Sequence, residues 1–304
     1  MSNKLPYHIK TIQEFHQLRG LPAPEHPLIS IIDYSVVTRL PDATSWTQQF
    51  YSISLKRTTN TKIKYGQQEY DFDRGVLFFI APNQVFSISG NEQQPPQHTG
   101  WLLLIHPDFL WNTSLAKAIK QYDFFDYSVN EALFLSEKEE TIINAIIENI
   151  HREYQNNIDK FTQQIIVSQL ETLLSYSERF YNRQFITRKK SNHQILDRLE
   201  KLLTDYFESG ELTKNGLPGV EYISQHLHVS PGYLRGLLKS LTGLSTQEHI
   251  HNRVIEKAKE KLSTTNLSVS EIAYELGFDR PQSFSRLFKI KTQLSPLEFR
   301  QSFR

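Results

Sequence analysis

Residues 220–245 and 269–300 carry one pattern twice, and that duplication constrains the chain more than any other feature. Val220, Ile223, Ser224, Leu227 and Val229 match Val269, Ile272, Ala273, Leu276 and Phe278 at a constant offset of 49. Leu234, Leu237 and Leu238 match Phe284, Leu287 and Phe288 at an offset of 50, so the second copy has one extra residue in its turn. Within each copy the apolar positions fall three and four apart, on one face of a helix. Gly277 ends the first helix of the second copy, where a left-handed backbone is favoured. Pro281 opens the next helix, where its missing N–H costs nothing. In the first copy Ser230 is the N-cap and Pro231 takes the equivalent position. Between the copies, residues 246–262 form a helix with Ile250, Val254, Ile255, Ala258 and Leu262 inward.

Two helices, a tight break and a second helix that is polar and basic outside make a helix-turn-helix. One such pair is commonly a plain helical hairpin with a solvated face. Two on a shared rod hold their second helices in fixed relation. About 34 Å apart, these would enter successive major-groove segments on one face of DNA. Charge agrees with that division. Residues 1–185 hold 16 Lys+Arg against 20 Asp+Glu, and residues 186–304 hold 18 against 13, within a net charge of +1. An acidic front and a basic back suggest separate tasks, the back meeting a polyanion.

Residues 195–303 resemble the DNA-binding domain of the AraC/XylS family of bacterial transcription regulators. The resemblance rests on Ile272-Ala273, Leu276-Gly277-Phe278, Phe284-Ser285-Arg286-Leu287-Phe288-Lys289, Leu294-Ser295-Pro296 and Phe299-Arg300. It implies a first recognition helix at 231–241, with Gly232, Arg235, Gly236 and Lys239 outward. The second, at 281–292, would present Arg280, Gln282, Ser283, Arg286 and Lys289. Glycines at 232 and 236 depart from the larger polar residues common there, leaving Arg235 to read guanine; Gln282 suits adenine, and Arg286 guanine or phosphate. Gln293 stands where many members have glycine, and a less regular helix end is expected there. The resemblance also implies double-stranded promoter or operator DNA as partner, a homodimer, RNA polymerase where the protein is an activator, and a small-molecule effector.

The front half has a different texture. Residues 1–27 hold Pro6, Pro22, Pro24 and Pro27 and read as a loosely docked arm with a short helix near Ile12–Leu18. Short apolar or alternating runs follow at 28–37, 50–57, 61–66, 75–82, 84–89 and 100–107, with turn formers between them. They predict a small antiparallel sandwich or barrel, whose inward positions include Phe50, Tyr65, Phe72, Phe78, Phe86 and Trp101. A short helix is expected at 115–122, then long helices at 136–154, opened by the Ser136–Glu139 capping box, and at 161–181. Their isoleucine-rich faces suit packing on the sheet or a dimer seam. By architecture this half is similar to the family's cupin-like sensor and dimerisation domain.

The fold class expected is therefore α+β in two domains. A cupin-like antiparallel β-barrel followed by helices occupies 1–182, a linker 183–194, and an all-α domain of two helix-turn-helix units joined by a linker helix 195–304. The chain has no cysteine, which removes disulfides, thiolate metal sites and a cysteine nucleophile. No apolar run reaches membrane length and MSNKLPYHIK has no secretory apolar core, so a cytoplasmic protein is expected. His226/His228 and His249/His251 are spaced i, i+2, which points helical side chains apart and disfavours a shared metal. No nucleophile triad or phosphate loop is visible, and no catalytic residue, cofactor or metal is expected. The competing reading is a cupin-type small-molecule or metal-binding protein or enzyme.

Overall fold

The computed structural model describes residues 7–37, 45–58, 63–65, 68–70, 75–87, 98–127, 131–155, 159–187 and 189–302. The chain forms two compact units, Met1–Gln184 and Phe185–Arg304. None of its helices among the described residues is long and apolar enough to cross a membrane.

The first unit runs β1 (Tyr7–Ile9), α1 (Ile12–Arg19), β2 (Ile29–Asp33), β3 (Ser45–Gln48), β4 (Tyr51–Thr58), β5 (Ile63–Tyr65), β6 (Gln68–Tyr70), β7 (Val76–Ile80), β8 (Phe86–Ser87), β9 (His98–Ile105), α2 (Leu115–Ala118), β10 (Leu133–Phe134), α3 (Glu137–Gln155) and α4 (Thr162–Thr187). Five strands pair antiparallel in the order β10-β7-β4-β9-β2. A second sheet has the order β1-β3-β8, with β1 parallel to β3, and β5-β6 is a separate hairpin. The described strands thus form separate sheets and close no barrel among themselves.

Each face of the five-stranded sheet is covered. Trp101 is turned toward the helices, its Nε1 donating to Asn144 Oδ1 of α3 at 2.9 Å. That corrects its expected place inside a barrel. On the same side Phe79 meets the rings of Phe124, Phe125 and Tyr181 at 4.4–6.2 Å. Each such buried side chain contributes about 1.5–3 kcal/mol relative to exposure. Arg57 of β4 pairs with Glu140 of α3. Arg183 of α4 grips Glu139 with two bonds, at 3.0 and 2.7 Å, and donates to the Phe134 carbonyl at 2.8 Å. The opposite face packs Ile32, Leu102 and Leu104 with Ile9, Ile12, Phe15, Trp46 and Phe50. The arm expected at 1–27 has its short helix at α1 and is docked on the core through Ile9, Ile12 and Phe15, with β1 paired to β3. Thr11 caps α1 through the Glu14 N–H, and Gly20 ends it at φ 66°. Phe72 lies outside the described residues, as do the side chains of Tyr65 and Phe86.

The second unit is helical: α5 (Lys189–Glu208), α6 (Glu211–Asn215), α7 (Val220–Leu227), α8 (Pro231–Thr242), α9 (Thr246–Thr264), α10 (Val269–Glu275), α11 (Pro281–Thr292) and α12 (Pro296–Gln301). Helices α7–α8 and α10–α11 are the two copies, and α9 is the rod. Residues 183–194 carry the end of α4 and the start of α5.

Candidate nucleic-acid interface

The two turns hold their helices by different means. In the second, Gly277 takes φ 79°, and a Cβ there would lie 2.7 Å from the Leu212 carbonyl oxygen and 2.9 Å from Gly216 Cα. Glycine is required twice over, for the left-handed backbone and for direct contact with the segment after α6. In the first turn the offset of 49 puts His228 in Gly277's place, and it too is left-handed, at φ 57°. Arg198 of α5 supports that helix end, donating to the carbonyls of His226 and Leu227 at 3.3 and 3.2 Å. Phe278 fills the second turn, its ring 5.5 Å from that of Phe284.

Helix α9 ties the copies together. Ser245 and Glu248 form a capping box at its start. The Ser245 bonds hold the Glu248 carboxyl below its usual range, and the charges of Lys291 and Lys239 add to that. Lys239 belongs to α8 and Lys291 to α11, so the first turn of α9 feels both recognition helices. At the other end Lys261 reaches Glu275 of α10 at 2.6 Å, and Arg300 of α12 donates to the Leu262 carbonyl at 3.3 Å. Phe288 and Phe299 pack edge to face at 5.4 Å, seating α12 against α11.

On α11, Gln282, Ser283, Arg286 and Lys289 are all exposed, with Arg280 exposed at the N-cap. The opposite stripe, Phe284 and Phe288, is fully buried. On α8, Arg235 and Lys239 are exposed. Gly232 is not an outward position: it is buried, next to Tyr233, whose ring packs on Phe185 at 5.1 Å. The outward face of α8 is correspondingly shorter than the sequence suggested. Lys239 Nζ donates to the Gly243 carbonyl at 3.2 Å and so closes its own helix. The helix end at Gln293 is regular, correcting the expectation drawn from its missing glycine. Gln293 adopts φ 63° and donates its N–H to the Lys289 carbonyl, as Gly243 does to Lys239 in the first copy. Tyr274 on α10 and Ile290 on α11 are exposed as well. Sequence pattern missed both, because neither breaks the apolar stripe. Among the described residues no three His, Asp or Glu side chains are grouped to hold a metal ion.

A profile described as a helix-turn-helix domain matches residues 223–302. The HTH-type transcriptional activator AarP of Providencia stuartii is 32% identical over 122 residues, covering 40% of this chain and 88% of AarP. The chain belongs to the AraC/XylS family. YfiF of Bacillus subtilis, an HTH-type transcriptional regulator, is 26% identical over 199 residues, covering 65% of this chain and 51% of YfiF. The chain thus spans about half the length of that relative. Among solved structures, the C-terminal domain of the response regulator yesN from Fusobacterium nucleatum is 31% identical, with a TM-score of 0.29. It covers 33% of this chain and 96% of that one. In this AraC/XylS-family chain the signature residues divide by role: Ile272, Ala273, Leu276, Phe284 and Phe288 are core. Arg300 ties α12 to α9, and Arg286 and Lys289 are left outward.

Proposed function

We propose that this chain is a sequence-specific DNA-binding transcription regulator that reads two successive major-groove segments with α8 and α11. The observation that carries the reading is the duplicated unit itself. Each second helix buries an apolar stripe and turns basic or amide side chains outward, and α9 joins the two. Gln282, Ser283 and Arg286 face outward for base contacts, while Arg280, Lys289 and Lys239 suit phosphates. The first unit acts as a cupin-like sensor that binds a small-molecule effector, and α3–α4 support a homodimer. Exposed Ile142 and Ile165 on those helices favour that seam. Effector binding shifts the population between arrangements of differing DNA affinity. AarP is named an activator; an activator role here would add RNA polymerase as partner.

The test is a salt-controlled gel shift comparing the operator selected from genomic DNA with random DNA of equal length. Selective binding of at least about a thousandfold supports the reading. Equal affinity for the two overturns it.

A further inference from the structure

Helices α5 and α9 face each other at the same offset of 49 that relates the two copies. Glu200 Oε1 lies 3.7 Å from Nδ1 of its counterpart His249, and Thr204 Oγ1 accepts a bond of 2.8 Å from its counterpart Arg253. The next pair on that register is Glu208 and Lys257, of opposite charge, and this rung stays open. Lys257 pairs instead with Glu260 of its own helix at 2.9 Å. The Glu208 carboxylate has no hydrogen-bond or ion-pair partner among the described residues. Here there is a cleft of about 270 Å³, lined by Thr204, Phe207 and Glu208 of α5 and by Arg253 and Lys257 of α9. Ligand clefts commonly hold about 300–1,000 Å³, so this one suits a small molecule.

The charges of the cleft are layered. The side chains of Arg253 and Lys257 are 35% and 32% exposed, and those of Glu256 and Glu260, three positions on, are 69% and 58% exposed. The cations thus lie inside and the carboxylates outside. Exposed pairs at this spacing hold weakly, and the Arg253–Glu256 contact is long at 3.5 Å. Of the five N–H donors of its guanidinium, Arg253 makes one short bond, to Thr204. On the other wall α5 ends at Glu208, with Asp205 also exposed in its last turn and no basic side chain there. Two carboxylates at the negative end of a helix favour a cation. A lone anion in this cleft would meet three carboxylates, and a lone cation two basic side chains. A molecule carrying both charges meets a partner at each end, and the buried Phe207 offers its body an apolar wall.

We propose that the cleft between α5 and α9 binds a small zwitterion of the α-amino acid class. Its ammonium lies at Glu208 and the end of α5, its carboxylate takes donors of Arg253 and Lys257, and its side chain lies against Phe207. The site belongs to the second unit and is independent of the sensor role assigned to the first. Bound there, the ligand closes the third rung between α5 and the rod that carries both copies.

The test is a ligand-observed NMR titration of the full chain, without DNA, at matched ionic strength. Three probes share one branched body: leucine, leucinamide and 4-methylpentanoate. At about pH 6.5 they are a zwitterion, a cation and an anion. Leucine binds at least about tenfold tighter than either of the others, since each lacks one charge-assisted contact. Glu208→Gln leaves leucine no tighter than 4-methylpentanoate, and Arg253→Gln leaves it no tighter than leucinamide. Both side chains lie at the surface, and far-UV circular dichroism checks that each variant keeps its helices. No binding of leucine, equal binding of leucinamide or 4-methylpentanoate, or unchanged leucine affinity in either folded variant overturns the proposal.

Discussion

The two helix-turn-helix copies share a fold and divide its requirements in opposite ways. In the first copy the leading helix α7 starts at Gly219 with no side-chain cap, and the recognition helix α8 is capped by Ser230. In the second the leading helix α10 has the full Ser268–Glu271 box, and the recognition helix α11 starts at Arg280 with none. The cap residue of α11 is thereby free of local duty and is an exposed cation at the very position where DNA would arrive. In the first copy Gly232 is buried, Arg235 is exposed, and Lys239 bonds the Gly243 carbonyl at the end of its own helix. One architecture thus carries two copies that differ in caps and turns and not in the apolar core, and on the function proposed above the first would anchor and the second would read.

The sharpest way to break the comparison is at the turns. Gly277→Ala meets both a left-handed backbone and the Leu212 carbonyl, and it is expected to destabilise the second unit by about 3 kcal/mol. His228→Gly relieves the left-handed strain of a non-glycine residue and is expected to raise stability by up to about 1 kcal/mol. Urea unfolding of the full chain measures both. Equal effects would show that the turns are equivalent after all.

The next test is readout. Arg286→Ala is expected to weaken operator binding by more than about tenfold, in line with about 1–3 kcal/mol for a good base contact. Gln282→Ala is expected to relax discrimination at one base pair. Arg235→Ala should cost less discrimination than Gln282→Ala across operator variants in gel shifts at fixed salt; the reverse order would make α8 the reading helix. Lys239→Ala, a smaller change, should lower affinity for all sequences alike and reduce the salt slope by about one.

The apolar core of the second unit was legible because its residues repeat at helical spacing with fixed offsets. His228 was hidden in the same alignment: the offset of 49 names it as Gly277's counterpart, but a histidine does not advertise a left-handed backbone. Gln293 is the same case against Gly243. The contact of Gly277 with Gly216 had no local signal, since it joins backbones 61 positions apart. In the first unit the prolines of 1–27 suggested an arm, and only the pairing of β1 with β3 shows why Ile12 and Phe15 are apolar. The alternation through Tyr51–Lys56 reads as one dry face and one wet face. Tertiary structure overrode it by covering both, which is how Ser52 and Ser54 came to be buried.

The smallest expected effect tests whether the swapped caps matter. Hydrogen bonds from Ser268 hold the Glu271 carboxyl below its usual 4.5. A carboxylate favoured in the folded state stabilises fully above its unfolded value, and that contribution is lost as pH falls through the folded one. Glu271→Gln should therefore lower the unfolding midpoint of the second unit slightly at pH 7, and the gap to the parent should close below about pH 4. The first copy has no such box on α7, so Glu221→Gln near its start should leave the midpoint unchanged at both pH values. If Glu221→Gln shows the same closing gap, the acidic first turn acts through the helix dipole in both copies, and the capping box is not what separates them.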